Sequence, residues 1–201
     1  MIKQSDITGL ILAGGLGRRM SEDGKGTNKA LTGFNGRPMI AHVIERLSPQ
    51  VGGLIINANQ DVDRFEAFGL PVTGDRIDGY AGPLAGLHSG LSAAPTSWLM
   101  TCPCDSPFIP SDLVQKLSDA ADQGNHDLAV VHTGEQAHPV FALVSCRLLD
   151  NLTAFLTAGG RKIDAWYAPL SVARVDFGSE EPFRNINTQA DLARYESPTG
   201  N

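Results

Sequence analysis

Residues 10–20 read Leu10-Ile11-Leu12-Ala13-Gly14-Gly15-Leu16-Gly17-Arg18-Arg19-Met20, a short apolar run that leads directly into a glycine-rich segment with two arginines. Lys25 and Lys29 follow closely. Glycines let backbone N–H groups approach anionic oxygens, and cationic side chains neutralise the charge that remains. The pattern therefore predicts a strand followed by a polyphosphate-binding loop. The alternative is a surface turn with solvated arginines.

The spacing of this segment differs from two common phosphate-binding motifs. A P-loop requires G-x-x-x-x-G-K-[ST], and no lysine here both follows a glycine and precedes Ser or Thr. The dinucleotide fingerprint G-x-G-x-x-G is broken because Met20 stands where the last glycine belongs. The segment therefore matches neither of these two motifs.

These residues resemble the N-terminal signature of nucleotidyltransferases that move a nucleoside monophosphate from an NTP onto a phosphate acceptor. The matching blocks are Leu12-Ala13-Gly14-Gly15, Arg19-Met20, Lys29-Ala30-Leu31 and Gly36-Arg37-Pro38-Met39. Later blocks resemble one branch, the molybdenum cofactor guanylyltransferases: Ile56-Asn57-Ala58-Asn59, Asp75, Gly82-Pro83-Leu84-Ala85-Gly86, Cys102-Pro103-Cys104-Asp105 and Asn185-Ile186-Asn187-Thr188. The resemblance extends over residues 7–195. Its first blocks indicate the chemistry, and its later blocks indicate the branch.

The resemblance implies transfer of GMP from GTP to the terminal phosphate of molybdopterin, with release of pyrophosphate. It implies catalytic roles for Lys29, Asp105 and Arg19, with Mg²⁺ on Asp105. The implied nucleotide-binding residues are Leu12, Ala13, Gly14, Gly15, Lys29, Asn57, Asp75 and Asp105. The implied acceptor-binding residues are His138, Arg161, Asn185 and Asn187. Transient partners would be proteins of molybdenum insertion or molybdoenzyme maturation.

The chain departs from the family pattern in two places. Asn28 precedes the lysine where the family usually has an aspartate, and the loop between Gly15 and Lys29 is longer than expected. Lys25 and Lys29 are therefore both candidates for the phosphate-binding lysine. We favour Lys29 because Ala30-Leu31 follows it in family order.

Several candidate residues also have ordinary structural interpretations. Asp105 follows an apolar run and suits Mg²⁺, which prefers carboxylate oxygens, but an aspartate can also cap the next helix. Asp75 could be a solvated loop residue, and Asn57 could end a turn instead of offering a bidentate amide to a base or ribose. His138 could be a structural hydrogen-bonding residue, and Arg161-Lys162 could be a pair at a helix end.

Strand-like and helical patterns alternate along the chain. The strands are predicted at 8–13, 54–58, 70–73, 98–102, 128–132, 140–144 and 172–177, and the helices at 39–47, 84–93, 111–121, 147–156 and 190–195. Pro110-Ser111-Asp112 resembles a helix start. We expect an α/β fold: a single-domain Rossmann-like nucleotidyltransferase over residues 1–196, with a mostly parallel central sheet, helices on both faces and a site at the carboxyl ends of the strands. The N-terminal half would bind GTP and Mg²⁺ and the C-terminal half the acceptor, with residues 197–201 as a frayed tail.

Length and composition agree with a single compact enzyme domain, which we expect to be a cytoplasmic monomer. The 201 residues are 42% hydrophobic and carry a net charge of −6, yet the first forty residues have a balance of +3. Without a basic stripe elsewhere, the chain is a poor candidate for binding long nucleic acid. Three cysteines, two of them in a C-P-C arrangement, favour neither a disulfide nor a zinc pair. Residues 79–104 lack charges, but their glycines and prolines favour a buried helix and a strand over a membrane span.

The sequence leaves three functional hypotheses. The first is guanylyl transfer to molybdopterin. The second is a sister enzyme that uses CTP on molybdopterin or an NTP on a sugar phosphate. The third is a non-catalytic nucleotide-binding module, which has less need of Lys29 and Asp105 together. The enzymes need no general base, because a phosphate monoester has a second pKa near ~6 and is already largely dianionic at neutral pH.

Overall fold

A seven-stranded sheet forms the centre of the computed structural model, which describes residues 1–14, 28–77 and 82–196. Its strands are β1 Ile7–Leu12, β4 Gly53–Asn57, β5 Val72–Thr73, β6 Trp98–Pro103, β7 Leu128–Thr133, β8 Gln136–Ser145 and β9 Val172–Asp176, and a separate two-stranded hairpin consists of β2 Gly33–Phe34 and β3 Arg37–Pro38. The spatial order is β5-β4-β1-β6-β8-β7-β9. Strand β8 runs antiparallel to both neighbours, and the other pairs in the sheet are parallel. The predicted mostly parallel sheet is confirmed.

Helices cover both faces of this sheet. They are α1 Met39–Leu47, α2 Val62–Glu66, α3 Pro83–Ala93, α4 Leu113–Gln123, α5 Leu149–Thr157, α6 Ile163–Tyr167 and α7 Gln189–Tyr195. Strand β1 shows why there are two apolar layers: Ile11 packs with α1 and α4, whereas its neighbour Leu10 packs with α3 and α5. Successive residues of a strand point to opposite faces, so both faces must be covered.

The carboxyl ends of β4, β1 and β6 lie side by side. The Ala13 N–H donates to the Asn57 carbonyl at 2.8 Å, and the Cys104 N–H donates to the Leu12 carbonyl at 3.1 Å. The chain runs from β1 to β4 on one side and later returns to β6 on the other, which makes this edge a topological switch point, where open α/β sheets bind ligands. The fold therefore has a switch point at the carboxyl edge where we expect the site.

Two glycines let α3 approach the sheet closely. A Cβ on Gly90 would lie 2.4 Å from Leu10 Cδ2, and a Cβ on Gly86 would lie 2.5 Å from Asn57 Oδ1. Helix α3 and strand β6 form most of the uncharged stretch at 79–104. The predicted buried helix followed by a strand is therefore present. Among the described residues, no helix is long and apolar enough to cross a membrane.

Some element boundaries differ from the predictions. The prediction began β8 at residue 140, after Pro139, but the strand starts at Gln136. Val131 pairs with His138 and Val130 with Ala142, so Pro139 lies in a bulge, where the missing N–H breaks no ladder bond. The hairpin and the short helices α2 and α6 were not predicted. The predicted tail, 197–201, is outside the described residues.

The start of α4 was also predicted two residues early. Asp112 occupies the N-cap position but makes no side-chain cap, and its carboxylate pairs instead with Lys116 at 2.8 Å. The Val114 N–H donates to Oε1 of Gln50 at 3.1 Å. A side chain distant in sequence thus satisfies a donor of the first turn, which no local signal could predict.

Candidate active site

A cavity of about 500 Å³ opens at the carboxyl edge of β4, β1 and β6. Its lining includes every predicted nucleotide-binding residue that the structure describes: Leu12, Ala13, Gly14, Lys29, Asn57, Asp75 and Asp105. We call it the donor cavity. Its volume is typical of sites for small molecules. Gly15, Arg19 and Lys25 lie outside the described residues.

Lys29 enters the donor cavity from a 3-10 turn, Lys29–Leu31. Asn28 caps this turn, because its side-chain oxygen accepts from the Ala30 N–H at 3.2 Å while its amide nitrogen donates to Asp61 at 3.0 Å. The Lys29 side chain is 15% exposed, and Nζ donates to Asp105 Oδ2 and to Asn187 Oδ1. The ammonium group is therefore held by two oxygens from distant parts of the chain.

Asp105 follows β6 directly after the Cys102-Pro103-Cys104 block. Its carbonyl accepts from the Ile186 N–H at 2.9 Å, and its side chain is 13% exposed. Oδ2 pairs with Lys29, whereas Oδ1 is buried and has no hydrogen-bond partner among the described residues. Since the next helix begins at Leu113, Asp105 does not cap it. A buried carboxylate oxygen without a donor suits a hard cation.

Asn57, Asn59 and Asp75 form a hydrogen-bonded group on the opposite side of the lining. Nδ2 of Asn57 donates to Asp75 Oδ1 at 3.1 Å and to the Thr73 carbonyl at 3.2 Å. The Asn59 amide donates to Asp75 Oδ2 at 2.8 Å and accepts the Asp75 N–H at 2.7 Å. Asp75 is thus an oriented carboxylate and not a freely solvated loop residue. Asn57 ends β4 and spends its amide hydrogens on protein acceptors, so a bidentate contact with a base is not available in this conformation.

A second cavity, of about 600 Å³, adjoins the donor cavity. The two share Pro103, Val140 and Asn185 in their linings, and the second also contains His138 and Asn187. His138 Nε2 lies 2.8 Å from Thr133 Oγ1, and its ring packs on Phe183 with centroids 5.5 Å apart. Burial lowers the pKa of His138, which favours the neutral form of the ring. Three of the four predicted acceptor residues therefore gather here.

Arg161, the fourth predicted acceptor residue, is not among the lining residues of either cavity. Its guanidinium donates to the carbonyls of Leu156 and Gly160, at 3.1 and 2.7 Å. These contacts match the helix-end alternative, and an acceptor role for Arg161 stays a prediction without geometric support.

The cysteines of the C-P-C block are structural. Cys102 and Cys104 are free and buried. Burial raises the pKa of Cys104 to about 12 and that of Cys102 well above its usual value, so both remain protonated thiols. Within residues 1–14, 28–77 and 82–196, no three His, Cys, Asp or Glu side chains cluster as a metal site. Among these residues, a cation at Asp105 would therefore have at most one further ligand of these types, with substrate oxygens and water as other possible ligands.

Two contributors to the site were given no role by the sequence reasoning. Asn59 orients Asp75, and Ser106 Oγ donates to Asn185 Oδ1 at 2.6 Å. The spacing of Asn57 and Asn59 could have revealed the first, because alternate residues at a strand end share a side. The second joins residues far apart in sequence and leaves no local pattern.

Comparison with known proteins identifies the family. The model of the MobA-like NTP transferase domain matches residues 9–172. A molybdenum cofactor guanylyltransferase from Cupriavidus necator is 47% identical, covering 98% of this chain and 100% of that one, and another from Ralstonia nicotianae is 48% identical, covering 96% and 97%. The solved structure of molybdopterin-guanine dinucleotide biosynthesis protein A from Archaeoglobus fulgidus superposes with a TM-score of 0.75 at 22% identity, covering 93% and 95% of the two chains. The chain therefore belongs to the molybdenum cofactor guanylyltransferase family of MobA-like NTP transferases.

Proposed function

We propose that this protein transfers GMP from GTP to the terminal phosphate of molybdopterin, with or without bound molybdenum, and releases pyrophosphate. The proposal is supported by guanylyltransferase relatives that match nearly the whole chain, together with two adjoining cavities, the first of which contains Lys29 and Asp105. A group transfer between two substrates needs a site for each, with the reacting atoms brought together. Neither alternative acceptor nor alternative base has comparable support.

The donor cavity would bind GTP. Residues 12–14 line the donor cavity at the end of β1, the edge at which folds of this type bind a nucleotide. The Asp75 carboxylate, oriented by two asparagine amides, offers an acceptor for hydroxyl or N–H donors of the nucleoside. Lys29 would contact the phosphates from the other side.

Asp105 would hold Mg²⁺ through Oδ1. That oxygen is buried and unpaired among the described residues, and an oxygen donor beside a triphosphate is the usual environment of this ion. Bound Mg²⁺ would neutralise phosphate charge and help to fix the phosphate chain. The role of Lys29 on Oδ2 is compatible with this arrangement, because each carboxylate oxygen then has its own cation.

The chemistry requires alignment and charge neutralisation. An oxygen of the acceptor phosphate attacks the α-phosphorus of GTP and forms a new P–O bond, while the bond from that phosphorus to the oxygen bridging to the β-phosphorus breaks. Pyrophosphate leaves with the electron pair. No proton has to be removed from a dianionic phosphate, and the Lys29 ammonium stabilises negative charge on the transferring group.

The second cavity would bind the pterin acceptor. It shares the wall formed by Pro103, Val140 and Asn185 with the donor cavity, so an acceptor phosphate there could reach the nucleotide. His138 and Asn185 offer neutral polar groups. We also propose that the protein is a cytoplasmic monomer. It would contact molybdenum-insertion or molybdoenzyme-maturation proteins transiently.

The test is substrate-resolved turnover. Purified protein with Mg²⁺ and molybdopterin should release pyrophosphate from GTP, with CTP and ATP used far less well. Discrimination should be about 10⁴ in a favourable case, because a site that hydrogen-bonds guanine leaves polar groups unpaired against another base. Equal use of CTP, or activity only with a sugar 1-phosphate, would assign the chain to a sister activity.

A further inference from the structure

Residues 185–191, which we call the C-terminal brace, contact both Lys29 and Asp105. The Ile186 N–H donates to the Asp105 carbonyl at 2.9 Å, and Asn185 Oδ1 accepts from Ser106 Oγ at 2.6 Å. Two hydrogen bonds thus attach the brace to the loop that carries the proposed metal ligand. The next residue, Asn187, contacts Lys29.

Asn187 connects Lys29 to the start of α7. Its Oδ1 accepts from Lys29 Nζ, and its backbone N–H donates to Asp191 Oδ2 at 2.9 Å. The same Asp191 oxygen accepts from the Thr188 N–H at 2.9 Å, and Thr188 Oγ1 accepts the Asp191 N–H at 3.1 Å. This reciprocal pair is a capping box, so the orientation of Asn187 is fixed by the helix cap.

The brace and the Lys29 turn share one apolar anchor. Ile186 and Leu192 are buried against Phe34 and Met39. The Met39 N–H in turn donates at 2.9 Å to the carbonyl of Thr32, directly after the Lys29 turn. Lys29 and its amide partner are therefore mounted on the same packed unit, although 158 residues separate them.

A lysine side chain is long and flexible, and fixing it costs conformational entropy. A single partner at Asp105 Oδ2 would leave the ammonium group free to swing about that oxygen. A second acceptor fixes its position, and an amide does so without placing another negative charge beside a triphosphate. The backbone N–H of Asn187, together with hydrogen bonds from Thr188, lowers the pKa of Asp191, so the carboxylate that holds Asn187 stays ionised.

We infer that Asn187 is a positioning residue for Lys29, held in place by Asp191, and that it acts on the donor nucleotide. The inference rests on the proposed function, specifically on contact between Lys29 and the phosphates. It also moves Asn187 from the predicted acceptor side of the site to the donor side. Asn187 lines the second cavity, but its side-chain oxygen is committed to Lys29.

The experiment is a double-mutant cycle on GTP binding, measured by calorimetry with Mg²⁺ and without acceptor. Asn187→Ala should weaken GTP binding by about five- to tenfold, the range expected on loss of a charge-assisted hydrogen bond that is partly exposed. In a Lys29→Met background the same change should have no further effect, because Asn187 acts through the lysine. Gln189→Ala, on the exposed first turn of the same helix, is the matched control and should bind GTP like the wild type.

Asp191 provides the second arm. Asp191→Ala should weaken GTP binding as Asn187→Ala does, and Asp191→Asn, which keeps an oxygen acceptor for the two N–H groups, should restore most of the affinity. Unchanged GTP affinity in Asn187→Ala, with a raised KM for the pterin, would overturn the inference and leave the proposed function standing. Additive losses in the cycle would do the same. A wild-type protein that binds none of the four NTPs would overturn both.

Discussion

Lys29 and Asp105 share one hydrogen bond and leave one oxygen over: Nζ donates to Oδ2, while Oδ1 is buried and unpaired among the described residues. A structural ion pair would gain from donors on both carboxylate oxygens, since a buried acceptor without a partner costs free energy. The unpaired oxygen is the atom on which the proposed function places Mg²⁺ bound with the nucleotide. The first two predictions test the roles of Asp105 and Lys29.

Asp105→Asn should nearly abolish turnover while the protein stays folded. The amide keeps the size of the side chain and loses its charge, and removal of one main electrostatic element costs about 10²–10³ in rate. Pyrophosphate release with Mg²⁺ gives the rate, and thermal unfolding of the same preparation reports the fold. Activity near that of the wild type would remove Asp105 from the reaction.

The second prediction separates Lys29 from Lys25. Lys29→Ala should strongly depress turnover, because the ammonium lies in the donor cavity beside Asp105. Lys25→Ala should change turnover by less than about tenfold, or about 1.4 kcal/mol of activation free energy. Steady-state kinetics on both variants decides the matter, and the reverse pattern would show that the lengthened loop has moved the phosphate-binding role to Lys25.

The sequence was sufficient for the parts of the site that follow from strand order. Asn57 and Asp105 could be assigned to one edge because parallel strands with helical crossovers bring their carboxyl ends together, whereas Lys29 was assigned from the order of the family motif. The partnership of Lys29 with Asn187 could not be predicted, since it depends on where the last helix packs. The first part of β8 was not predicted, because proline usually ends a strand. Pro139 is accommodated within this strand because it lies in the bulge.

Arg161 shows where a local pattern leaves two interpretations open. The Gly159-Gly160-Arg161-Lys162 run combines flexible backbone with cations, as an anion site would. In the fold the guanidinium of Arg161 instead donates to carbonyls close to it in sequence, at the end of α5. Such an arrangement satisfies helix-terminal carbonyls, and composition alone does not distinguish it from a ligand site.

Gly86→Ala should damage the donor cavity more than its small size suggests. The new Cβ would lie 2.5 Å from Asn57 Oδ1 and 2.6 Å from Leu12 Cδ2, so Asn57 must shift and loosen its hold on Asp75. We expect the KM for GTP to rise at least about tenfold and stability to fall by about 1–3 kcal/mol, the usual cost of overpacking. Kinetics and denaturant unfolding measure the two effects.

Gly53→Ala is the control for that substitution. Gly53 lies at the start of β4, the strand that ends at Asn57, and a Cβ there meets nothing within 4 Å. It should leave the KM for GTP unchanged. Equal effects from the two alanines would mean that strand stability, and not the position of Asn57, accounts for the loss.

The last prediction concerns the pH dependence of stability through His88 on α3. His88 is buried, its Nε2 lies 3.0 Å from Thr153 Oγ1, and its Nδ1 is buried without a partner among the described residues. Burial, with a smaller contribution from the Arg76 charge, lowers the pKa of His88 below the usual value for histidine. The unfolded chain therefore binds the proton more readily than the folded protein, and stability falls as the pH drops below about 6.5.

His88→Gln should make this loss of stability smaller between about pH 6.5 and 5, measured as the urea midpoint at each pH. His126→Gln, a change at a partly exposed histidine, is the control and should leave the loss of stability unchanged. An identical pH profile for wild type and His88→Gln would show that the acid sensitivity lies elsewhere.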